Sequence, residues 1–424
     1  MANTQVKIGA KIGAMIAWAM AAAACQDVGA RESGRDDGVI PQAGAAALTP
    51  AERRLYQDLA RRSWNYLDRY YQPATGFVNA TPDWYNTTLW DIGGQILAYH
   101  AAKELGLLSE QEYDRRMRTM LGTLARLELF DGVTFNRIYS TKDGSPSAQG
   151  AGWSATDIGR FLVALKILAE REPRYAELAG RVARRSDFAR IVKDGYLHGR
   201  ARSADGTTTD FQEGRIGYEQ YVAAGFQHWG ADVGNAVSLA NGTPVDVLGV
   251  RLLADRRGFD RLLSEPFILY GIELGLPDDL RDLAGAVLDA QEARYRATGQ
   301  ITIASEDAMP VAPHHFYYYC VYCNGKAFVI GISSPREIMD APRWVSTKAA
   351  FGWHALMPSA YTQKAVDHVA AARHDEQGWA TGVFEGTGKS TDTYDVTNAA
   401  VLMEIAYFQL RGRRPLIEPA TVRR

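Results

Sequence analysis

The sequence lacks an excess of either charge and lacks the short motifs that mark several enzyme classes. Its 424 residues include 47 Lys and Arg against 49 Asp and Glu, without a basic block, so we expect no nucleic-acid partner. No G-x-S-x-G, no H-E-x-x-H and no G-x-G-x-x-G opening a βαβ unit occurs. These absences exclude the usual serine hydrolase, zinc protease and dinucleotide templates. We therefore predict no cofactor and assign no metal site.

Cysteine is also scarce, because the chain has only three. Two of them, Cys320 and Cys323, form a single C-x-x-C pair that follows His314 and His315. No second pair and no thioredoxin-like strand–helix context accompanies them, and the spacing does not match a zinc site. We expect either a local disulfide in an oxidising compartment or two inert thiols.

The N-terminal segment has the pattern of an export signal. Two lysines precede a short apolar stretch at residues 12–24, and the stretch ends at Cys25 after three alanines, as in a bacterial lipoprotein cleavage box. The box departs from the usual one, which has an aliphatic residue three positions before the cysteine. We predict a signal peptide over 1–25 with Cys25 as the lipid anchor, and a flexible tether over 26–48. The protein would then be exported, as a periplasmic or outer-membrane lipoprotein held at the membrane by its lipid.

Helical periodicity dominates the rest of the chain. The long loops follow every second predicted helix, so we predict an all-α fold, a twelve-helix (α/α)6 toroid, as a single domain over residues 49–424. Short strands, predicted at 246–252, 301–304 and 317–329, would decorate its rim. The predicted helices lie at about 51–71, 88–105, 109–129, 155–171, 174–193, 216–236, 259–275, 278–297, 342–357, 360–372 and 395–411.

Two of these helices begin in nearly the same way, each with an aspartate followed by Ile-Gly. Asp91 and Asp157 occupy the equivalent positions, so both acids would face one common end of the fold. A helix cap is the alternative role for each of them, because Asp is favoured at helix starts. The adjacent Trp90 favours a sugar-facing site for Asp91. Arg160, at salt-bridging distance in sequence, favours a structural role for Asp157.

Several motifs, taken in order, resemble a bacterial family labelled domain of unknown function 3131. The likeness covers residues 50 to 412, which is nearly the whole predicted mature chain. The family implies an exported α/α toroid near the glucoamylase-like group, and its toroid relatives include enzymes that cleave glucans. The matching stretches are Thr75–Val78, Leu89–Gly93, Ser154–Arg160, Tyr218–Tyr221, Ser305–Asp307, Ser346–Phe351, Gly378–Glu385 and Thr397–Ala399.

Cleavage of a glycosidic bond needs two carboxyl groups, one to protonate the leaving oxygen and one to activate water or attack carbon. We predict Glu219 as the general acid, because flanking tyrosines would bury it and raise its pKa, although an acid also suits a first helical turn. Asp91 is the predicted base, and Glu306 is the alternative acid or a sugar ligand. The predicted substrate contacts are Trp84, Trp90, Asp157, Arg215, Tyr218, Trp229, Asp307, Tyr317, Lys348, Trp379 and Glu385.

The function predicted from these residues is a glycoside hydrolase that acts on a glucan or another poly- or oligosaccharide. By analogy with toroid relatives we expect inversion, with carboxyl groups about 6.5–9.5 Å apart. The hypothesis expects Asp91, Glu219 and Glu306 to converge on one aromatic-lined cleft. One alternative is a non-catalytic carbohydrate-binding or envelope-polysaccharide assembly protein. Another is a polysaccharide lyase with Tyr139 or His315 as the base and a basic cleft. The oligomeric state stays open.

Overall fold

The computed structural model describes residues 48–417, except 256, 258–259, 313–314, 333–336 and 373–375. The predicted signal peptide with Cys25, the tether up to residue 47, and His314 lie outside the described residues. Residues 46–424 group into one compact unit. None of the helices in the described part of the chain is long and apolar enough to cross a membrane.

The described residues form a predominantly helical fold, as the sequence predicts. Nine of the eleven predicted segments each contain one helix, and most of these helices are a few residues shorter than predicted. The other two predictions are wrong in extent, because 174–193 is divided into Ala176–Ala183 and Phe188–Ile191, and 216–236 into Tyr218–His228 and Gly234–Val237. The segment predicted as 259–275 begins only at Glu265, where Pro266 occupies the first turn and fixes the helix start. The α-helices are α1 Pro50–Arg69, α2 Leu89–Glu104, α3 Glu110–Leu124, α4 Ala155–Arg171, α5 Ala176–Ala183, α6 Phe188–Ile191, α7 Tyr218–His228, α8 Gly234–Val237, α9 Glu265–Glu273, α10 Asp278–Thr298, α11 Thr347–Leu356, α12 Ala360–Ala370 and α13 Val396–Leu410.

Six of the helices contact one another in cyclic order. Helix α2 packs against α4, α4 against α7, α7 against α9, α9 against α11, α11 against α13, and α13 against α2. A second set lies against them, with α1 on α13, α3 on α2, α5 on α4, α10 on α9 and α12 on α11. Helices of the first set are buried around most of their circumference, and α2 buries every residue from Leu89 to Ala102. A helix without a polar face is stable only inside a protein, which explains why the most apolar helices belong to the first set. The six helices of this set are called the inner helices below.

Small residues let two of the inner helices approach closely. A Cβ on Gly159 of α4 would lie 2.5 Å from Val222 Cβ on α7, and one on Gly225 would lie 2.1 Å from Gly159 O. Such distances are far inside van der Waals contact, so these positions accept glycine alone without a backbone shift.

The strands are short, antiparallel and more numerous than predicted. Together they form one four-stranded sheet in the order β11-β12-β13-β14, a second group of β5, β6, β7 and β8, and four two-stranded pairs. They are β1 Asn86–Thr88, β2 Leu129–Phe130, β3 Thr134–Phe135, β4 Ile138–Ser140, β5 Gly152–Trp153, β6 Val192–Lys193, β7 Tyr196–Arg202, β8 Thr208–Gln212, β9 Gly242–Val247, β10 Val250–Asp255, β11 Glu306–Ala308, β12 Phe316–Cys323, β13 Lys326–Gly331, β14 Ile338–Met339, β15 Trp344–Ser346 and β16 Gly382–Phe384.

The predicted strands differ from the observed ones in a few places. The segment 317–329 is a hairpin that turns at Asn324 and Gly325, which confirms the turn predicted there. The segment 246–252 is also a hairpin, because Leu248 and Gly249 both have positive φ and reverse the chain. Residues 301–304 form no strand. The sequence indicates only a polar loop where the β7–β8 hairpin lies, since β8 is largely exposed and carries no apolar alternation.

Several strands run directly into inner helices and thereby set which end of the fold carries the candidate site. Strand β1 leads into α2, β5 leads into α4, and β15 leads into α11. The pairing of Thr88 with Ile138 of β4 and of Ser346 with Gly382 of β16 fixes the starts of α2 and α11 to these strands. The N-terminal ends of the inner helices and the loops before them therefore present the side chains considered next.

Candidate active site

Asp157 is a carboxyl group near this end that forms no salt bridge with any described residue. It lies in the first turn of α4, where its N–H donates to Ser154 Oγ at 3.1 Å, while its own carboxyl group is part-exposed and forms no ion pair within the described residues. Burial raises the pKa of Asp157 to about 7, and the charges of Glu213 and Asp91 act in the same direction, whereas Arg137 lowers it. A carboxyl group in this state exchanges its proton near neutral pH.

Glu306 is a second such group. It stands in β11 opposite Tyr318, is only 6% exposed, and likewise forms no ion pair in the described part of the chain. Burial raises the pKa of Glu306 to about 7 and the charge of Glu265 adds to this effect, while Lys348 opposes it. Glu306 therefore also titrates near neutral pH.

Aromatic rings connect the two carboxyl groups. The part-exposed Tyr318 is close enough to Glu306 and Asp157 that, after burial, both charges contribute to raising its pKa to about 12. The guanidinium of Arg261 stacks on the Tyr318 ring at 3.9 Å. Asp157, Glu306 and Tyr318 thus belong to one electrostatic cluster, and an aromatic face beside two carboxyl groups suits a sugar ring.

Trp90 and Tyr218 extend this aromatic surface. Their ring centroids are 5.9 Å apart, and Arg215 stacks on Tyr218 at 4.6 Å. Both rings are largely buried, so only their edges are open to a ligand. The predicted contacts Trp90, Tyr218 and Arg215 therefore adjoin the two carboxyl groups.

Asp91 lies near Asp157, and its carboxylate is already fully hydrogen-bonded. Asp91 Oδ2 accepts the backbone N–H and the hydroxyl of Thr88, both at 2.9 Å, and Oδ1 accepts the Thr397 hydroxyl at 2.7 Å. Thr88 and Asp91 form a capping box at the start of α2. Asp91 therefore has the geometry of a helix-capping residue, which was the alternative role given for it above. A carboxylate held by three donors is less available as a base than Asp157.

Glu219 has different partners from the other predicted catalytic acids. It is 1% exposed, forms an ion pair with Arg257, and accepts hydrogen bonds from Gln212 Nε2 at 3.0 Å and Leu197 N at 3.4 Å. Burial raises the pKa of Glu219, and Arg257 opposes the rise. The structure therefore brings Asp91 and Glu306 into the cluster around Asp157, while Glu219 is engaged at the junction of β7, α7 and β10.

Arg160 does not pair with Asp157, and that expectation is wrong. Its guanidinium lies 3.3 Å from Glu404, 3.8 Å from Glu265 and 4.0 Å from Glu273, all buried. These acids come from α9 and α13, so the arginine ties α4 to two other inner helices. The Asp157 carboxyl group is left without the cation that the sequence spacing suggested.

Lys348 and Asp307 belong to a group of buried charged side chains near this cluster. Lys348 Nζ is 2.5 Å from Glu265 and 3.5 Å from Asp307, and Asp307 also accepts Trp344 Nε1 at 2.7 Å. Burial raises the pKa of Asp307 to about 7, and Lys348 opposes this. Because both predicted contact residues are about 1% exposed or less, direct sugar binding by either requires a conformational change.

Glu385 is held by two partners of its own. Arg294 contacts both of its carboxylate oxygens at 2.9 Å, and the Tyr319 hydroxyl donates to it at 2.8 Å. The bidentate pair fixes the loop after β16 against α10.

Two predicted tryptophans have packing contacts. Trp229 follows the last residue of α7, about 16 Å along that helix from Tyr218, and its Nε1 donates to Leu162 O at 2.9 Å. Trp379 is 5% exposed, and its ring lies 5.4 Å from Phe351. The structure does not bring Trp229 to the cluster around Asp157.

Trp84 and Tyr317 are anchored by hydrogen bonds. The part-buried Trp84 donates to Gln149 Oε1 at 3.1 Å and lies in the loop before β1. Tyr317 is 1% exposed, and its hydroxyl donates to Val311 O at 2.8 Å. Trp84 keeps a part-exposed ring at the same end as the helix starts, whereas the Tyr317 ring is internal.

The two residues named as lyase bases differ in accessibility. Tyr139 is fully buried, its hydroxyl donates to Glu128 O at 2.7 Å, and burial raises its pKa, so it is a poor base. His315 is exposed and lines a groove of about 540 Å³ together with Asp83 and Asp392.

Asp395 is a further acid in this region that the sequence motifs did not single out. It caps α13 by accepting Asn398 N at 2.6 Å, and it also accepts Ala308 N at 3.3 Å. Burial raises its pKa to about 6, Lys348 opposes this, and Asp91 adds to the rise. An Asp three residues before Asn at the head of an apolar helix is the sequence signal that could have identified it.

One group in the described chain has metal-ligand geometry, at the opposite end of α2. Single ligand atoms of His100, Glu104 and Glu172 lie within 4.8 Å of one another. Glu172 already pairs with Lys103 and, at 3.2 Å, with Arg174. These cations neutralise the acid that a metal ion would need.

Cys320 and Cys323 are free, buried thiols in β12. Burial raises the pKa of Cys320, so its reactive thiolate form is suppressed. This geometry agrees with the expectation of two inert thiols.

Several solved structures are similar in fold to this chain. A Bacteroides caccae protein provisionally assigned as a glucoamylase is 15% identical, with a TM-score of 0.62 over 85% of this chain and 94% of that one. An endo-β-1,2-glucanase from Chitinophaga pinensis, solved with sophorotriose and glucose, is 12% identical, with a TM-score of 0.61 over 87% and 94%. One from Talaromyces funiculosus, solved with sophorose, is 14% identical, with a TM-score of 0.56 over 85% of each chain.

At such identities the similarity shows a shared fold alone. No curated protein matches the chain. The sequence profile of one family matches residues 58–412, a range that includes all of the motifs that carried the resemblance. The chain therefore belongs to the family described as protein of unknown function, DUF3131.

Proposed function

We propose that the protein is a glycoside hydrolase that cleaves a glucan, with Asp157 and Glu306 as its two carboxyl groups. The observation that carries the proposal is that both groups have pKa values raised to about 7 and no ion-pair partner among the described residues. Most other acids of the cluster are bound by cations or by several donors. A pair of carboxyl groups that titrates near neutral pH, beside aromatic rings, fits acid–base cleavage of a glycosidic bond.

The charges around each group suggest their roles. Two acids, Glu213 and Asp91, act on Asp157 against one cation, Arg137, and this balance favours the protonated form that a general acid requires. Two cations, Lys348 and Arg215, act on Glu306 against one acid, Glu265, and this balance favours the ionised form that a general base requires. This assignment replaces Glu219 and Asp91, whose carboxylates are already engaged.

The substrate class is proposed from the fold neighbours and from the aromatic surface. Neighbours with sophorotriose or sophorose bound support an oligosaccharide of glucose as the ligand. The part-exposed ring of Tyr318 would supply the apolar face against which a glucose ring packs, with the edges of Trp90 and Tyr218 beside it.

We further propose that the fold is an (α/α)6 toroid. The cyclic contacts of α2, α4, α7, α9, α11 and α13, with further helices outside them, support this architecture. The carboxyl cluster would then lie at the end where loops enter the inner helices.

The test is incubation of the full chain with a panel of linear β- and α-glucans and bacterial exopolysaccharides, followed by analysis of released reducing sugar. We expect wild-type protein to cleave at least one glucan, and Asp157→Asn and Glu306→Gln to lose about a hundredfold or more of the rate. Asp157→Asn should retain more activity on aryl glycosides, because an activated leaving group needs no acid. Cleavage that survives both substitutions unchanged would remove this pair from the mechanism.

Two other outcomes correspond to the alternatives. Glucan binding without cleavage by wild-type protein would favour the carbohydrate-binding or assembly role. Unsaturated uronate products would favour a lyase. For an active hydrolase, NMR of the first-formed anomer tests inversion, which stays a prediction.

Export and lipid anchoring are also part of the proposal. The apolar stretch at 12–24 that ends in Cys25 supports both. Labelling with a fatty-acid analogue in a bacterial host should mark the wild-type chain and leave Cys25→Ala unlabelled. A chain that keeps its first 25 residues and remains in the cytoplasm would contradict the proposal.

A further inference from the structure

We propose that Arg137 and Arg215 form a subsite for an acidic group, a carboxylate or a phosphate ester, on the saccharide that binds beside Asp157. The inference rests on the proposed function, because it concerns which glucan-like substrate the same site prefers. It goes further, since nothing in the fold similarity points to an acidic substituent.

Arg137 lies between the starts of two inner helices. Its neighbour Ile138 pairs with Thr88, the residue that caps α2. The N–H of Arg137 donates to Gly152 O at 2.7 Å, and Gly152 belongs to β5, which leads into α4. The chain around Arg137 is therefore fixed on both sides, and its charge acts on Asp157.

Arg215 reaches the start of α4 from the other side. It lies just before α7, and its guanidinium donates to Thr156 Oγ1 at 3.1 Å. Its planar group also stacks on Tyr218 at 4.6 Å, which fixes its orientation. Since Thr156 immediately precedes Asp157, Arg215 is held at the start of α4, and both arginines belong to the surroundings of this carboxyl group.

Neither arginine is hydrogen-bonded to a carboxylate of the described residues, although the charges of Glu213 and Glu306 act on Arg215. Arg137 and Arg215 form no ion pair within the described residues, and the Nε of each is buried without an acceptor. Other arginines of the neighbouring loops are paired with carboxylates, namely Arg200, Arg202 and Arg257. Buried donors are almost always satisfied in proteins, so these two arginine Nε donors without an acceptor indicate a missing ligand group.

The neighbouring acids do not supply this acceptor. Glu213 Oε2 accepts Thr156 N at 2.8 Å, so this carboxylate is used to cap α4. Asp91 is held by its own three donors, and Glu306 forms no ion pair with Arg215 within the described residues. A ligand group is therefore the natural counterion.

The chemistry of guanidinium selects the ligand class. The planar guanidinium donates two parallel hydrogen bonds to a carboxylate or a phosphate. One hydroxyl of a neutral sugar does not accept such a pair of parallel hydrogen bonds. A charge-assisted contact of this kind changes affinity by about tenfold. A neutral glucan would leave the buried Nε donors of both arginines without an anionic acceptor, and an acidic one would supply it.

Binding to the full chain tests the proposal without any need for turnover. The probes are a β-1,2-linked glucose hexasaccharide, the same hexasaccharide with one phosphate ester, and a hexasaccharide of glucuronate, each titrated calorimetrically at low and high salt. We expect at least one acidic probe to bind about tenfold more tightly than the neutral one, with the difference shrinking as salt rises. The phosphate and carboxylate arms show which group is preferred.

Variants assign the preference to the two arginines. Arg137→Gln and Arg215→Gln should each reduce the acidic preference, measured as the ratio of the affinities for the acidic and the neutral probe. Arg202→Gln, which removes an arginine of β7 that pairs with Asp131, is the matched control and should keep the preference. Circular dichroism spectra and thermal midpoints close to wild type would show that the variants are folded.

Equal affinity for neutral and acidic probes would overturn the proposal, as would an acidic preference that both substitutions leave intact. Failure of the proposed function gives a different pattern, because the acidic preference could persist with no cleavage of any probe. Cleavage of neutral glucan with no acidic preference would instead keep the hydrolase and remove the subsite.

Discussion

Replacement of Asp157 by Asn should make the protein more stable at alkaline pH. Burial raises the pKa of Asp157 from 3.8 to about 7. One pH unit corresponds to about 1.4 kcal/mol, so ionising this group in the folded protein costs about 4 kcal/mol at most. The side chain is part-exposed and solvent screens its charge, which reduces the expected effect to about 2 kcal/mol.

The sign follows from proton binding. Between pH 3.8 and about 7 the folded protein holds a proton on Asp157 that the unfolded chain has released. Wild-type stability therefore falls as pH rises through this window, and the penalty is complete above it. The amide of the Asp157→Asn variant cannot ionise and carries no such penalty. The gain of this variant over wild type should therefore be absent near pH 4 and full near pH 8, within about one unit.

Urea unfolding followed by circular dichroism at both pH values measures this difference. Asp91→Asn is the matched control, because it removes the equivalent acid from α2 but disturbs the capping box and should cost about 1 kcal/mol. A stability difference between Asp157→Asn and wild type that is the same at both pH values would refute the reasoning.

Three other expectations follow from the same structure. Glu219→Gln removes one of the anionic partners of Arg257 and should lower the free energy of unfolding, measured by urea titration, by about 2 kcal/mol. Unchanged stability together with lost cleavage would instead make Glu219 catalytic. Gly159→Ala would force α4 from α7 and should cost about 1–3 kcal/mol in thermal unfolding, whereas Gly285→Ala, with open space around it, should cost nothing. The rate of glucan cleavage should peak near pH 7 and fall on both sides, and Asp157→Asn should remove the alkaline decline; a flat profile from about pH 5 to 9 would contradict both assignments.

Sequence periodicity was sufficient to locate the helices, because their apolar faces repeat locally along the chain. It also identified the common end of α2 and α4, since both begin with the same motif. Strands were harder to predict. The β7–β8 hairpin has no alternation of apolar residues, and its pairing depends on contacts that a short window does not contain.

The ranking of the acids depended on partners distant in sequence. The Asp91 carboxylate accepts a hydrogen bond from Thr397, which is 306 residues away in sequence. Glu219 forms an ion pair with Arg257, which is 38 residues away in sequence. Arg160 forms ion pairs with acids on α9 and α13 and not with Asp157. No local pattern encodes these contacts, so the adjacent Trp90 favoured Asp91, whereas the three-dimensional contacts favour Asp157.

A crystal structure of the Glu306→Gln variant with a bound glucan oligosaccharide tests the central proposal most directly. We predict that the glycosidic oxygen to be cleaved lies about 2.6–3.2 Å from the Asp157 carboxyl group, with a water molecule between residue 306 and the anomeric carbon. An oligosaccharide whose glycosidic bonds all lie beyond the reach of both residues would contradict it.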